Sequence, residues 1–108
     1  MLETRMRSPE ELIAEARKAT EVDEYISIMD VLQEALSHLS DFSWKSGETW
    51  DMETVHSCCH EIGDLIYEDI GFRGMRFVHD GIYYRMRGIA ANYLDHFWNG
   101  CGNGAWRG

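Results

Sequence analysis

"HSCCHEIGDL", His56 to Leu65, is the stretch on which the reading of this chain turns. Two histidines, two cysteines, a glutamate and an aspartate stand within ten residues, a density that suggests a metal site. On an α-helix, at about 100° per residue, the set divides. Met52, Val55, Cys58, Cys59, Ile62, Leu65 and Ile66 share one side, and Glu53, His56, His60, Asp64 and Glu68 share the other. A Cys2His2 zinc site needs all four ligands around one ion, so a helix here excludes one built from this stretch alone. Cys58 and Cys59 read instead as small buried hydrophobes.

The flanking sequence agrees with a helix. Asp51 can cap its start, and Gly71 stops it shortly after Asp69. Upstream, Ser8-Pro9-Glu10-Glu11 combines a capping serine, a proline suited to the first helical position and a capping-box glutamate. A short first helix is expected from there to about Ala19, burying Leu12, Ile13 and Ala16. A second is expected from Asp23 or just before, because Val22, Tyr25, Met29, Leu32, Leu36 and Leu39 recur at helical steps. "DFSWKSGETW", 41–50, loses that period and reads as a loop carrying Trp44 and Trp50. A fourth helix is expected over about Gly74 to Asn99, before a glycine-rich tail, "GCGNGAWRG", that Trp106 is placed to tether. The predicted fold is all-α, one domain over 1–108, a compact bundle of about four helices.

Composition supports this. Hydrophobic residues make up 44% and charged residues 27%, with one proline, which favours a packed helical chain over a disordered or turn-rich one. No apolar signal region opens the chain, and no uncharged run reaches the roughly 18 residues of a membrane span. Three cysteines, two of them adjacent, do not suggest a disulfide framework. The expected setting is the cytoplasm.

Net charge is −9, unevenly spread. Residues 19–70 hold 13 acids against one base, Lys45, whereas 71–108 hold 2 acids and 5 bases. The acidic part would repel a phosphate backbone, so direct nucleic-acid binding is not expected there. A basic protein surface is the partner such a field attracts.

The polar stripe Glu53, His56, His60 and Asp64 puts four candidate ligands in line. Glu-x-x-His also serves di-iron bundles, but those use two copies plus two more glutamates. With one copy here, the stripe reads as a solvated face, and no metal or cofactor is expected. Within the same stretch, "HEIGDL" resembles the Glu-x-x-Asp half of MazG-type nucleotide pyrophosphohydrolases, with Glu61 and Asp64 at the matching positions. That resemblance implies an all-α enzyme holding magnesium through four acids. The upstream Glu-Glu-x-x-Glu half stands here as Gln33-Glu34-x-x-Ser37, which removes two of its three acids.

Two further features bear on function. Asp23, Asp30, Glu34 and Asp41 lie opposite the apolar face of the second helix, roughly 6 to 11 Å apart at a rise of about 1.5 Å per residue. Such an edge can imitate a nucleic-acid backbone to a basic groove. The fourth helix has two apolar rows, Val78, Ile82, Met86, Ile89, Tyr93 and Phe97 in one, Phe77, Tyr84, Ala91 and Trp98 in the other. Gly81 and Gly88 flank the second row, which suits close approach of another backbone, within the bundle or in a homo-oligomer.

The function expected from these features is non-enzymatic: a small acidic protein that binds and inhibits a basic, nucleic-acid-handling protein. Phage anti-defence proteins, nucleic-acid mimics and toxin-immunity proteins are of that type. Asp23, Asp30, Glu34 and Asp41 would steer the partner, while Trp44, Trp50, Tyr84, Trp98 and Trp106 would anchor it. The alternatives are a metal-dependent all-α enzyme using Glu53, His56, His60, Glu61 and Asp64, and a structural homo-oligomer formed through the fourth helix.

Overall fold

The computed structural model describes residues 7–39, 41–42, 50–104 and 106, with position 103 described by its backbone alone. Among the described residues every regular element is helical: α1 (Pro9–Glu21), α2 (Tyr25–Leu36), α3 (Met52–Trp98) and the one-turn α4 (Cys101–Gly104). There are thus three helices of substance rather than four, because the expected third and fourth run together as α3.

The first helix starts as its sequence requires. The Glu11 N–H donates to Ser8 Oγ at 3.2 Å, the Ser8 N–H donates to Glu11 Oε1 at 2.8 Å, and Pro9 occupies the first turn. The helix then runs past Ala19 to Glu21 and closes on a Schellman turn. Asp23 takes φ 57°, the Glu24 N–H donates to Ala19 O at 2.9 Å, and the Asp23 N–H donates to Thr20 O at 3.3 Å. Aspartate tolerates that left-handed position better than most residues. The turn delays α2 to Tyr25 and leaves Val22, expected on its buried face, exposed. From there the period holds: Tyr25, Ile28, Met29, Leu32, Leu36 and Leu39 are all buried.

At 1.5 Å per residue, a straight helix of 47 residues would span about 70 Å. The longest extent of the whole molecule is 40 Å, so α3 folds back on itself. It does so where its backbone leaves helical geometry, at Ile70–Gly71 and again at Arg87. Gly71 supplies φ 76° without a side-chain penalty, which is the stop expected there. The Arg87 break was not expected. Counting from Met75, Val78 and Ile82 to Ala90, Ala91, Leu94, Phe97 and Trp98, the buried side moves by roughly a third of a turn across it.

That shift corrects both apolar rows. Ile89, expected inside, is exposed, as are Phe77 and Tyr84 before the break, whereas Ala91 and Trp98 of the same row are buried after it. The returning end of α3 packs on its beginning: Trp98 Nε1–H donates to Cys59 O at 2.7 Å. One buried cluster joins Leu12 and Ala16 of α1, Ile28 and Leu32 of α2, and Ile62, Ile66, Val78, Ile82 and Phe97 of α3. Cys58, Cys59 and Cys101 lie in it as free thiols.

Candidate functional site

The acidic edge of α2 is occupied from within the chain. Arg7 clasps Glu34 through Nε and Nη2 and also reaches Glu15. Arg85 donates to Asp30 Oδ1 at 2.6 Å and to Gln33 Oε1 at 3.2 Å. Tyr93 donates to Asp41 Oδ2 at 2.7 Å. Asp23 sits on the turn rather than the helix, and its carboxyl is held above the usual range by a hydrogen bond with Asp69, then by that group's charge. Asp69 also accepts from the Tyr25 hydroxyl at 2.5 Å. The expected row of free carboxylates is therefore an internally paired surface.

The expected anchors separate as sharply. Tyr84 is exposed, at 79%. Trp98 and Trp106 are buried, at 0% and 3%, and serve the core rather than the surface. Trp50 is half-buried, its ring stacked on His38 with centroids 4.1 Å apart. Trp44 lies outside the described residues.

The acids that do converge come from other helices. Glu10, in the first turn of α1, lines an open groove together with Glu53 and Glu61 of α3; Pro9, Ile13, Thr54, Ser57 and Cys58 complete the lining. None of the lining residues is basic. Arg17 stands at the edge, 4.0 Å from Glu61, with both side chains more than half exposed. Glu10 was legible only as a helix-start residue, since its meeting with Glu53 and Glu61 depends on how α1 packs against α3.

The His/carboxylate stripe stays together: Glu53, His56, His60, Glu61 and Asp64 line one open pocket along α3, and Glu53 and Glu61 also border the groove. Within it His56 stacks on Phe97 with centroids 5.2 Å apart, beside His96 at 5.7 Å. His60 and Asp64 meet a residue the sequence reading passed over, Cys101. One donor atom from each of the three lies within 4.8 Å of the others, the one such group of three or more His, Cys, Asp or Glu among the described residues. Asp64 Oδ1 accepts from the Gly102 N–H at 3.2 Å, and His60 Nδ1 lies 2.9 Å from Phe97 O. Burial raises the Cys101 thiol to about 12, helped by the charge of Asp64 and a hydrogen bond with it. Burial likewise raises Cys58 to about 12 and Cys59 well above its ordinary value, so neither is a ready nucleophile. Cys101 carried no local signal; its partners are about forty residues away, and only the fold-back of α3 reveals them.

The MazG-type arrangement is not assembled. Gln33 is bound by Arg85 and Glu34 by Arg7, and neither joins Glu61 and Asp64 in a ligand group. No protein-family model matches the chain, and neither a curated protein nor a solved structure matches it. No described helix is long and apolar enough to cross a membrane.

Proposed function

We propose that this chain is a non-enzymatic acidic binding protein that inhibits a basic, nucleic-acid-handling protein, and that it grips that partner in the groove between α1 and α3. The observation that carries the reading is the meeting of Glu10, Glu53 and Glu61 in the lining of one groove, beside Pro9 and Ile13 and with no basic residue. A lysine or arginine of the partner can lay its methylene stem over Pro9 and Ile13 while its head group meets the glutamates. The exposed Arg17–Glu61 pair contributes little and gives way easily. The net charge of −9 draws a basic surface in from a distance. Tyr84 remains available as an aromatic anchor. Mimicry by the α2 edge is the less favoured form of this reading, because Asp30, Glu34 and Asp41 already hold Arg85, Arg7 and Tyr93. Phage anti-defence and toxin-immunity proteins remain the type the reading points to.

The test is quantitative capture from the native host's extract, comparing the wild-type chain with a Glu10→Lys/Glu53→Lys/Glu61→Lys variant of unchanged helicity. A basic protein retained by the wild type, weakened roughly tenfold or more by the reversals and released by moderate salt, supports the reading. Retention indifferent to both salt and the reversals, or of proteins with no basic surface, overturns it.

A further inference from the structure

We propose that His60, Asp64 and Cys101 bind one zinc ion, which clamps the α4 turn onto the first stretch of α3. The donor set is the starting point. An imidazole nitrogen, a carboxylate oxygen and a thiolate sulfur are the ligands zinc takes, whereas magnesium and calcium take oxygen alone. Spacing comes next. Around a tetrahedral zinc with bonds of about 2.0 to 2.3 Å, ligand atoms stand about 3.4 to 3.6 Å apart. His60 Nε2 and Asp64 Oδ2 are 3.9 Å apart, too far for a hydrogen bond and within a few tenths of an ångström of the zinc spacing. The whole group lies within 4.8 Å.

The outer contacts aim the donors inward, and they are independent of that spacing. A carbonyl oxygen can only accept, so the 2.9 Å contact with Phe97 O puts the proton of neutral His60 on Nδ1 and leaves the Nε2 lone pair toward Asp64. Metal-bound histidines almost always donate their other ring N–H to an outer acceptor, and a backbone carbonyl is one of the three common kinds, with carboxylate and water. Asp64 is held in the same way: the Gly102 N–H fixes Oδ1, and Oδ2 is the oxygen turned to His60. Gly102 has φ 65°, and a Cβ there would come within 2.7 Å of the Tyr67 ring, so the glycine lets the turn close over α3 and bring Cys101 with it.

Binding is balanced simply. The Cys101 thiol, whose Sγ now lies 3.3 Å from His60 O, gives up its proton to solvent as the sulfur–zinc bond forms, and nothing is oxidised or reduced. Three protein ligands leave a fourth position, and the partial exposure of His60 and Asp64 gives water and the ion access to it.

Cobalt(II) reports such a site directly. The intact chain, freed of metal with chelator, is titrated with cobalt and then with zinc. One equivalent of cobalt, a thiolate-to-cobalt charge-transfer band and its loss on adding zinc are expected. Cys101→Ser should abolish the band and Cys58→Ser should keep it. His60→Gln and Asp64→Asn, at partly exposed positions that tolerate substitution, should each weaken cobalt binding roughly tenfold or more. No band, a band that survives Cys101→Ser, or full affinity in both His60→Gln and Asp64→Asn overturns the proposal. If Cys101→Ser fails to fold, the last two variants decide it alone.

Discussion

The two breaks in α3 share almost the same backbone and differ in everything that precedes it. Gly71 has φ 76° and ψ −159°; Arg87 has φ 78° and ψ −170°. This region of the map is close to glycine-only, because a Cβ there crowds the flanking peptides. At Gly71 the residue matches the conformation, and the sequence announces the stop. At Arg87 a long charged residue holds it, with its guanidinium 3.4 Å from Tyr84 O, one of the carbonyls near the break. What the pair teaches is that a chain can break a helix for tertiary reasons without a breaker residue. The gain at Arg87 is the turn that brings Leu94, Phe97 and Trp98 onto the core.

The largest test compares two aromatics in one seven-residue row, Tyr84 before the Arg87 break and Trp98 after it. Trp98→Ala should cost about 3–5 kcal/mol, because it empties a fully buried site and leaves Cys59 O without the indole donor. Tyr84→Ala, at a site 79% exposed, should stay within about 0.5 kcal/mol. Denaturant melts of both variants measure the gap. Equal costs would mean that the helix runs straight through Arg87 and the row keeps one face.

The next pair exchanges the residues at the breaks. Gly71→Ala should cost about 1–3 kcal/mol from backbone strain alone, since the added Cβ meets nothing within 4 Å. Arg87→Gly should stabilise by about 1 kcal/mol net, with relief of strain offset in part by the flexibility glycine brings to the unfolded chain. Thermal melts read both, and a loss of stability in Arg87→Gly would show that the arginine is unstrained or is held by more than its backbone.

The same contrast explains how far the sequence could be read. The segment 52–69 was legible because one period places Val55, Cys58, Cys59, Ile62, Leu65 and Ile66 inside, and all six are buried; Met52, expected on the same side, is exposed in the first turn of α3. The segment after Arg87 was not, because periodicity arguments assume one continuous helix and the break moves the buried side. Helix number failed for a related reason: a glycine stop marks a change of direction, but it does not say whether helical hydrogen bonding resumes at once. The acidic edge of α2 was visible as a pattern, yet its partners Arg7, Arg85 and Tyr93 lie 27 to 55 residues away in sequence. Pairings across that distance are set by the fold, as are those that bring Cys101 to His60 and Glu10 to Glu53.

Glycines on either side of the Arg87 break give a smaller test. At Gly81 a Cβ would overlap the end of the Met29 side chain, so the glycine makes room for a side chain of α2 and not for the backbone that was expected there. Gly81→Ala should cost about 1 kcal/mol, the overpacking outweighing the helix preference of alanine because Met29 is itself buried. At Gly88 the nearest atom outside its own backbone is Tyr83 Cε1 at 3.9 Å, which leaves room for a methyl. Gly88→Ala should therefore stabilise by up to about 1 kcal/mol. If it instead lowers the melting temperature, or shifts the size-exclusion profile, Gly88 meets a second chain and the homo-oligomer reading gains its first support.

The start of α3 offers the smallest expected effect and the clearest sign. Like Gly71, Asp51 is a boundary its residue type announces: its side chain accepts from the Thr54 N–H at 2.7 Å. Bonds from the Thr54 side chain and backbone hold its carboxyl below the ordinary 3.8. A group whose pKa is depressed on folding adds stability above its unfolded value and loses it as pH falls through the folded one. Asn at the same position keeps an accepting oxygen but carries no charge for the helix terminus. Asp51→Asn should thus melt slightly below the wild type at neutral pH, and the gap should close as the pH drops below 3.8. A gap that persists at low pH would assign the difference to the geometry of the cap and not to its charge.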